Sequence, residues 1–223
     1  MAPPLDVLHE LQHPEHALAK VPLLFVVAHP DDEVLAAGSR LSRLPLAHIL
    51  YATDGAPRDP GDAERFGFAS REDYASARRQ EADRALAMQG IERERVHRLG
   101  LTDQDVAQEV PGLLRALTEL CAALRPAAIV THAYEGGHPD HDAVALAAHI
   151  LCRDRDGGGS PQLIEFAGYH DADGSGRMAT VVPAGTGGRG DLAPEARRAG
   201  AQAPGARLLQ DPAPGPAPVR NRE

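Results

Sequence analysis

Two short polar clusters carry residue types that can hold a cation and move protons. The first is His29-Pro30-Asp31-Asp32-Glu33, and the second is Glu135-Gly136-Gly137-His138-Pro139-Asp140-His141-Asp142. Zinc takes imidazole nitrogen and carboxylate oxygen, and a catalytic zinc site uses three protein ligands and keeps a position for water. His29 and Asp32 bracket a single turn, so a tight loop brings both to one side, and His141 completes the set. Bound metal lowers the pKa of water to about 7, after which a nearby carboxylate removes the proton. Asp31, beside a ligand without being one, is the natural base. His138 is expected on the opposite side of the substrate, to stabilise an oxyanion or protonate a leaving amine. Gly136 and Gly137 let backbone approach the substrate closely. Asp140 and Asp142 read as helix-start residues favoured by the helix dipole.

Both clusters follow apolar runs of strand length, Leu23 to Ala28 and Ala127 to Thr131. Unbroken apolar runs of this kind are strands buried on both faces. In an open α/β sheet the space beyond the carboxyl ends of strands is where ligands sit. The remaining pattern continues the alternation. Helices are expected over Val34 to Leu44, Ser70 to Gln89, Val110 to Leu124 and Asp142 to Cys152; strands over His48 to Thr53, Arg95 to Leu99 and Leu163 to Tyr169. Ser70 with Asp73 forms a helix-starting cap, and Gly90, Pro45 and Pro126 act as stops. A Gly-, Pro- and charge-rich loop up to Ser70 is long enough to be functional or mobile. Such alternation predicts a single Rossmann-like α/β domain over residues 21–176, with a mostly parallel sheet flanked by helices.

Residues 1–20 read as a short amphipathic helix or arm whose His13-Pro14-Glu15-His16 is a solvated loop. From Arg177 onward the chain is dominated by Gly, Pro, Ala and Arg, a composition too poor in apolar surface to pack, so residues 177–223 are expected to be a disordered, protease-sensitive tail. Within it, Gly185-Thr186-Gly187-Gly188-Arg189-Gly190 satisfies a dinucleotide fingerprint with Asp211 downstream, but Pro183, Pro194 and Gly200 deny it the strand and helix it requires. The 223 residues carry a formal charge of −9, which disfavours nucleic acid as a partner. Cys121 and Cys152 suggest no disulfide framework. Neither a secretory leader nor an apolar run of membrane-spanning length is recognisable, which predicts a cytoplasmic protein.

Ala28-His29-Pro30-Asp31-Asp32-Glu33 together with Gly137-His138-Pro139-Asp140-His141 resembles the paired motifs of the PIG-L/LmbE-like de-N-acetylases over about Leu23 to Tyr169. That resemblance implies a zinc-dependent hydrolase, one Zn2+ per chain, acting on a small-molecule N-acetylglucosamine-type conjugate. It implies His29, Asp32 and His141 as zinc ligands, Asp31 as general base, and His138 as the residue that stabilises the intermediate and assists the leaving amine. It also marks Arg78 and Asp103 as substrate-binding positions; a solvated helix charge and a helix cap are the respective alternatives. Some members place a tyrosine where this chain has Gly136, which leaves Tyr134 as the nearest aromatic. His132 and His170, at strand ends, are structural groups, or else second-sphere or substrate groups.

Two other functions compete. A relative lacking its carboxyl-terminal part would bind metal or sugar with little turnover. A non-haem Fe(II) oxygenase also uses two histidines and a carboxylate, but on a β-rich scaffold with His-x-Asp spacing, where this chain has His-x-x-Asp.

Overall fold

The computed structural model describes Val7 and residues 21–153, 160–170 and 177–178. All of them lie in one compact unit, Met1–Thr186. Apart from Val7 and residues 177–178, the expectations for the amino-terminal arm and the tail, including the Gly185 fingerprint, lie outside the described residues.

Strand β1, Leu23–Val27, is apolar at every position and wholly buried. Its alternate side chains feed two cores. Leu23, Phe25 and Val27 face a cluster with Ile49, Tyr51 and Leu86, whereas Leu24, Val26 and Ala28 face Leu50, Leu113, Leu117, Val144 and Ala148. A strand with helices on both faces cannot alternate apolar with polar, which is why this run is unbroken. Val7 belongs to the first core and donates its N–H to Gln162 Oε1 at 3.0 Å.

Four further strands complete a wholly parallel sheet: β2 Ala47–Pro57, β3 Val96–Asp103, β4 Ala128–His132 and β5 Gln162–Phe166, in the order β3-β2-β1-β4-β5. The chain winds outward from β1 through β2 to β3, then returns to place β4 on the other side of β1. The gap beyond the ends of β1 and β4 is therefore a topological switch point, the crevice where doubly wound folds bind ligands. Helices α1 Asp32–Ala37, α2 Gly61–Arg65, α3 Arg71–Met88, α4 Val110–Leu124 and α5 Pro139–Arg153 make the connections. A two-residue antiparallel pair follows, β6 Tyr169–His170 with β7 Arg177–Met178. Among the described residues no helix is long and apolar enough to cross a membrane.

Several boundaries differ from the sequence reading. α1 begins at Asp32 and ends at Ala37 instead of running to Leu44: Gly38 follows, and only a 3-10 turn at Leu41–Arg43 continues it. The supposed long loop is shorter, because β2 runs on to Pro57 and α2 occupies Gly61–Arg65. Strand β3 reaches Asp103, with irregular register against β2 from Tyr51 onward. Strand β5 stops at Phe166. α5 starts at Pro139, the helix position best suited to a residue without an N–H. Ser70 does cap α3, its side chain accepting from the Asp73 N–H.

Candidate active site

The loops leaving β1 and β4 bring His29, Asp32 and His141 together. His29 Nδ1 lies 3.2 Å from His141 Nε2 and 3.5 Å from Asp32 Oδ2, and His141 Nε2 lies 3.6 Å from Asp32 Oδ1. Ligands at about 2.0–2.1 Å around a tetrahedral zinc stand roughly 3.3–3.5 Å apart, so this donor set fits such a cation. The β1–α1 turn is closed by Asp32 Oδ2, which accepts the His29 N–H at 2.7 Å. All three side chains are buried.

The other His29 nitrogen settles the ring's orientation. Nε2 faces Asp103 Oδ1 at 3.1 Å and Asp140 Oδ2 at 3.3 Å. In the neutral ring, an Nε2–H donated to a carboxylate leaves the Nδ1 lone pair aimed at the cluster, the outer-sphere arrangement usual for metal-ligating histidines. Burial alone would discharge this ring, but its bonds to Asp103, Asp140 and Asp32 outweigh burial and push its pKa up to about 11. Burial likewise opposes ionisation of Asp32, yet interactions with His132 and His29 hold it well below the usual carboxylate range. Burial, reinforced by His132, takes His141 down to about 3. The cluster thus gathers three carboxylates, Asp32, Asp103 and Asp140, around His29.

Asp140 is more than a helix-start residue. It is fully buried, and its oxygens accept the N–H groups of Gln104 at 2.6 Å and Val106 at 3.1 Å as well as facing His29. Gln104 has a positive φ of 75°, a strained conformation for a residue with a side chain, and Asp140 holds it there. The carboxylate thereby ties the end of β3, and with it Asp103, to the β1 loop. Replacing Asp140 with Ala leaves two backbone donors without this acceptor and removes one of the two carboxylates facing His29 Nε2. Unfolding free energy should fall by about 3 kcal/mol and metal affinity by about 10- to 100-fold. Urea denaturation and metal titration test this, and a loss below about 1 kcal/mol would refute the anchoring role. Asp142 acts more locally, its Oδ1 accepting from Glu135 N and Gly136 N and so folding the loop ahead of α5.

Asp31 and His138 flank the cluster. The Asp31 side chain is 61% exposed and meets Arg78 Nη2 at 3.0 Å. Partial burial raises its pKa, opposed by Arg78, and solvent tempers both effects at this exposure. Arg78 also donates to Gly55 O at 2.9 Å. Gly55 has φ +70°, and a Cβ there would stand 2.7 Å from Pro30 Cδ and 2.9 Å from Arg78 Cζ, so only glycine permits this approach. His138 precedes α5, and its Nδ1 accepts the Asp140 N–H at 3.2 Å. That bond leaves the ring proton on Nε2, which lies 4.0 Å from Asp103 Oδ1. Burial, then the nearby His29, lowers the His138 pKa, favouring the neutral ring.

His29, His138 and His141, as well as Asp32, His132 and His141, also bring ligand atoms within 4.8 Å, as do His29, Asp103 and Asp140. Hydrogen bonding separates the candidates. His132 Nε2 accepts the Ala28 N–H at 3.1 Å, Asp140 is engaged by two backbone donors, and His138 Nδ1 caps its helix. His132 instead stacks on His141, with centroids 3.9 Å apart and planes 12° apart. Tyr134 is 70% exposed. The side chain of His170 lies outside the described residues.

A sequence profile for the PIG-L family, described as GlcNAc-PI de-N-acetylase, matches residues 24–152. The chain belongs to the PIG-L family. Among its relatives is 1D-myo-inositol 2-acetamido-2-deoxy-alpha-D-glucopyranoside deacetylase 2 of Catenulispora acidiphila, 29% identical over 183 residues. The match covers 72% of this PIG-L chain and 57% of the relative, so the chain spans little more than half of that protein's length. Solved structures share the fold. A deacetylase–teicoplanin complex superposes with a TM-score of 0.56 at 18% identity, covering 66% of this chain and 70% of the other. The A40926 pseudoaglycone deacetylase gives 0.55 at 22%, covering 74% and 71%. A zinc-inhibited form of teicoplanin deacetylase gives 0.54 at 20%, covering 67% of each.

What the sequence reading of this PIG-L chain missed was mostly long-range. Asp140 reaches 36 residues back to Gln104, and Gly55 matters because of Arg78, 23 residues on. The Thr53-Asp54-Gly55 segment offered a signal for the latter, since a glycine beside a sheet end marks close backbone approach. Glu33, third in its acidic run, is wholly buried, and neither of its carboxylate oxygens has a hydrogen-bond partner. Tyr51, close enough to influence Glu33, has an equally unbonded hydroxyl. Burial pushes Glu33 up to about 7, with Tyr51 opposing.

Proposed function

We propose that this chain is a metal-dependent de-N-acetylase that hydrolyses the acetamide of an N-acetylglucosamine-type conjugate, with His29, Asp32 and His141 holding one divalent cation. The observation that carries the reading is the close approach of His29 Nδ1 and His141 Nε2, 3.2 Å apart, with each within 3.6 Å of a different oxygen of the Asp32 carboxylate at the switch point, and a second carboxylate and an imidazole beside them. Membership of the PIG-L family supports it. The inositol glucosaminide named for the Catenulispora relative makes an amino-sugar conjugate the substrate class of choice.

A bound divalent cation supplies Lewis acidity toward the amide carbonyl and toward water. Asp31, oriented by Arg78, takes the proton of the attacking water on its free oxygen. His138 presents Nε2–H to the oxygen that gains charge as the carbonyl carbon becomes tetrahedral. Its Nδ1 is occupied by the Asp140 N–H, so the ring is suited to donating a hydrogen bond more than to shuttling a proton. Asp31 then returns the proton to the departing nitrogen as the C–N bond breaks, giving acetate and a free amine. In this reading Asp103, which lies 3.1 Å from His29 and 4.0 Å from His138, accepts from sugar hydroxyls and Arg78 donates to them.

The experiment is an acetate-release assay over N-acetylglucosamine conjugates after loading metal-free protein with Zn2+, Co2+, Mn2+ or Fe2+. Several metals are needed because a deacetylase of this fold has a zinc-inhibited form. Metal-dependent acetate release with an equal amount of new amine is expected. A chain that binds metal and releases no acetate from any of them is the non-hydrolytic alternative.

A further inference from the structure

A cleft of about 610 Å3 opens beside Asp31, between α1 and α3. It shares Asp31 and Arg78 with the candidate site, so it adjoins the place where a conjugate's acetamide would lie. At the mouth, Phe66, Phe68 and Tyr74 form an aromatic group: Phe66 and Tyr74 are nearly parallel at 5.7 Å, and Phe68 lies 5.3 Å from Tyr74. Arg78 reaches over the Tyr74 ring at 6.0 Å, linking the aromatics to the catalytic edge. Phe66 remains 58% exposed on the short α2–α3 connection. A large apolar ring left in water beside a cleft offers a stacking face.

The charges lining the cleft limit what can enter. Its one cation among the described lining residues, Arg78, is paired with Asp31, whereas Glu81 stands exposed at the side. An anionic aglycone would meet carboxyl groups with no free cation to offset them. A neutral ring would meet the three aromatic side chains and alanine-lined walls.

Building on the de-N-acetylase reading, we propose that this cleft is the aglycone subsite, and that it selects N-acetylglucosaminides bearing a neutral aromatic ring over those bearing a phosphodiester. Aromatic stacking favours the ring, and uncompensated like charge rejects the diester.

The test measures binding by calorimetry, which does not require turnover, with phenyl and methyl N-acetylglucosaminides of both anomers and the methyl phosphodiester of N-acetylglucosamine. The phenyl compound should bind about tenfold more tightly than the methyl compound, with the diester weakest. In Phe66→Ala the phenyl-to-methyl ratio should collapse toward one, and Glu81→Lys should narrow the gap between phenyl compound and diester. Circular dichroism confirms folding; Phe66 and Glu81 are exposed, so both variants should retain it. Equal affinity for phenyl and methyl compounds, an unchanged ratio in Phe66→Ala, or preference for the diester each overturns the proposal. Acetate release is followed on the same compounds. Ring-selective binding without acetate release would overturn the catalytic reading and leave the subsite standing.

Discussion

Asp31→Asn should lower turnover by about 100-fold or more while leaving metal content unchanged. Asparagine keeps the shape of the side chain and one carbonyl oxygen but has no basic oxygen to receive a proton. General-base assistance is worth about 10²- to 10⁴-fold, and in the proposed mechanism the same oxygen also delivers the proton to the leaving nitrogen, so no second group compensates. Asp31 sits next to a proposed ligand, and its carboxylate pairs with Arg78 at 3.0 Å instead of supplying one of the three donors, which is why metal should stay. The expected pattern is a large fall in kcat, a small change in KM and full metal stoichiometry. His138 provides the contrast. If its Nε2–H only donates a hydrogen bond, His138→Gln should retain more activity than His138→Ala, because an amide N–H can partly replace it. Loss of metal from Asp31→Asn would make Asp31 a ligand and remove the base from the mechanism.

The sequence made the site's location legible because a buried parallel strand has a distinctive pattern. Leu23–Val27 has no polar position, and the first polar residue after it, His29, marks where the chain leaves the sheet. Ala128–Val130 is likewise apolar; Thr131 and His132 end that strand, and the second polar cluster follows in the next loop. With two such exits on adjacent strands, the meeting of His29 and Asp32 with His141 follows from topology. Boundaries were harder where polar residues are paired or where helices are short. Thr53, Asp54 and Gly55 have the composition of a loop, yet they extend β2, because Thr53 bonds Ala28 O through both its N–H and its hydroxyl. α1 carries helix-forming residues on either side of Gly38, but the chain turns there after six helical residues. The role of Asp140 was hidden for another reason. An aspartate in the first turn of a helix already has a sufficient local explanation, and only the fold reveals that its oxygens are spent on Gln104 and Val106.

His141→Ala should cost metal and turnover together. Under the proposed ligand set, removing one of three protein donors leaves His29 and Asp32 as a two-point site, and the lost imidazole cannot be replaced by His132, whose Nε2 already accepts the Ala28 N–H. Each ligand to a structural or catalytic zinc contributes strongly to the binding free energy, on the order of several kcal/mol. Metal content after dialysis should therefore fall below about one-tenth of wild type, with turnover below about one-thousandth. Folding should persist in outline, since the sheet is built from the two apolar cores and not from the cluster. The variant loses the ring stacked on His132 and buries a small void, a loss of about 1–3 kcal/mol. Two readouts separate this from simple unfolding: circular dichroism, which should be close to wild type, and rescue by imidazole, which can enter the void and restore a nitrogen donor. Asp32→Ala should lose metal as severely, and also open the β1–α1 turn, because Asp32 closes it on the His29 N–H. If His141→Ala keeps one metal per chain after dialysis, the cation sits elsewhere, and the group of His29, Asp103 and Asp140 becomes the alternative to examine.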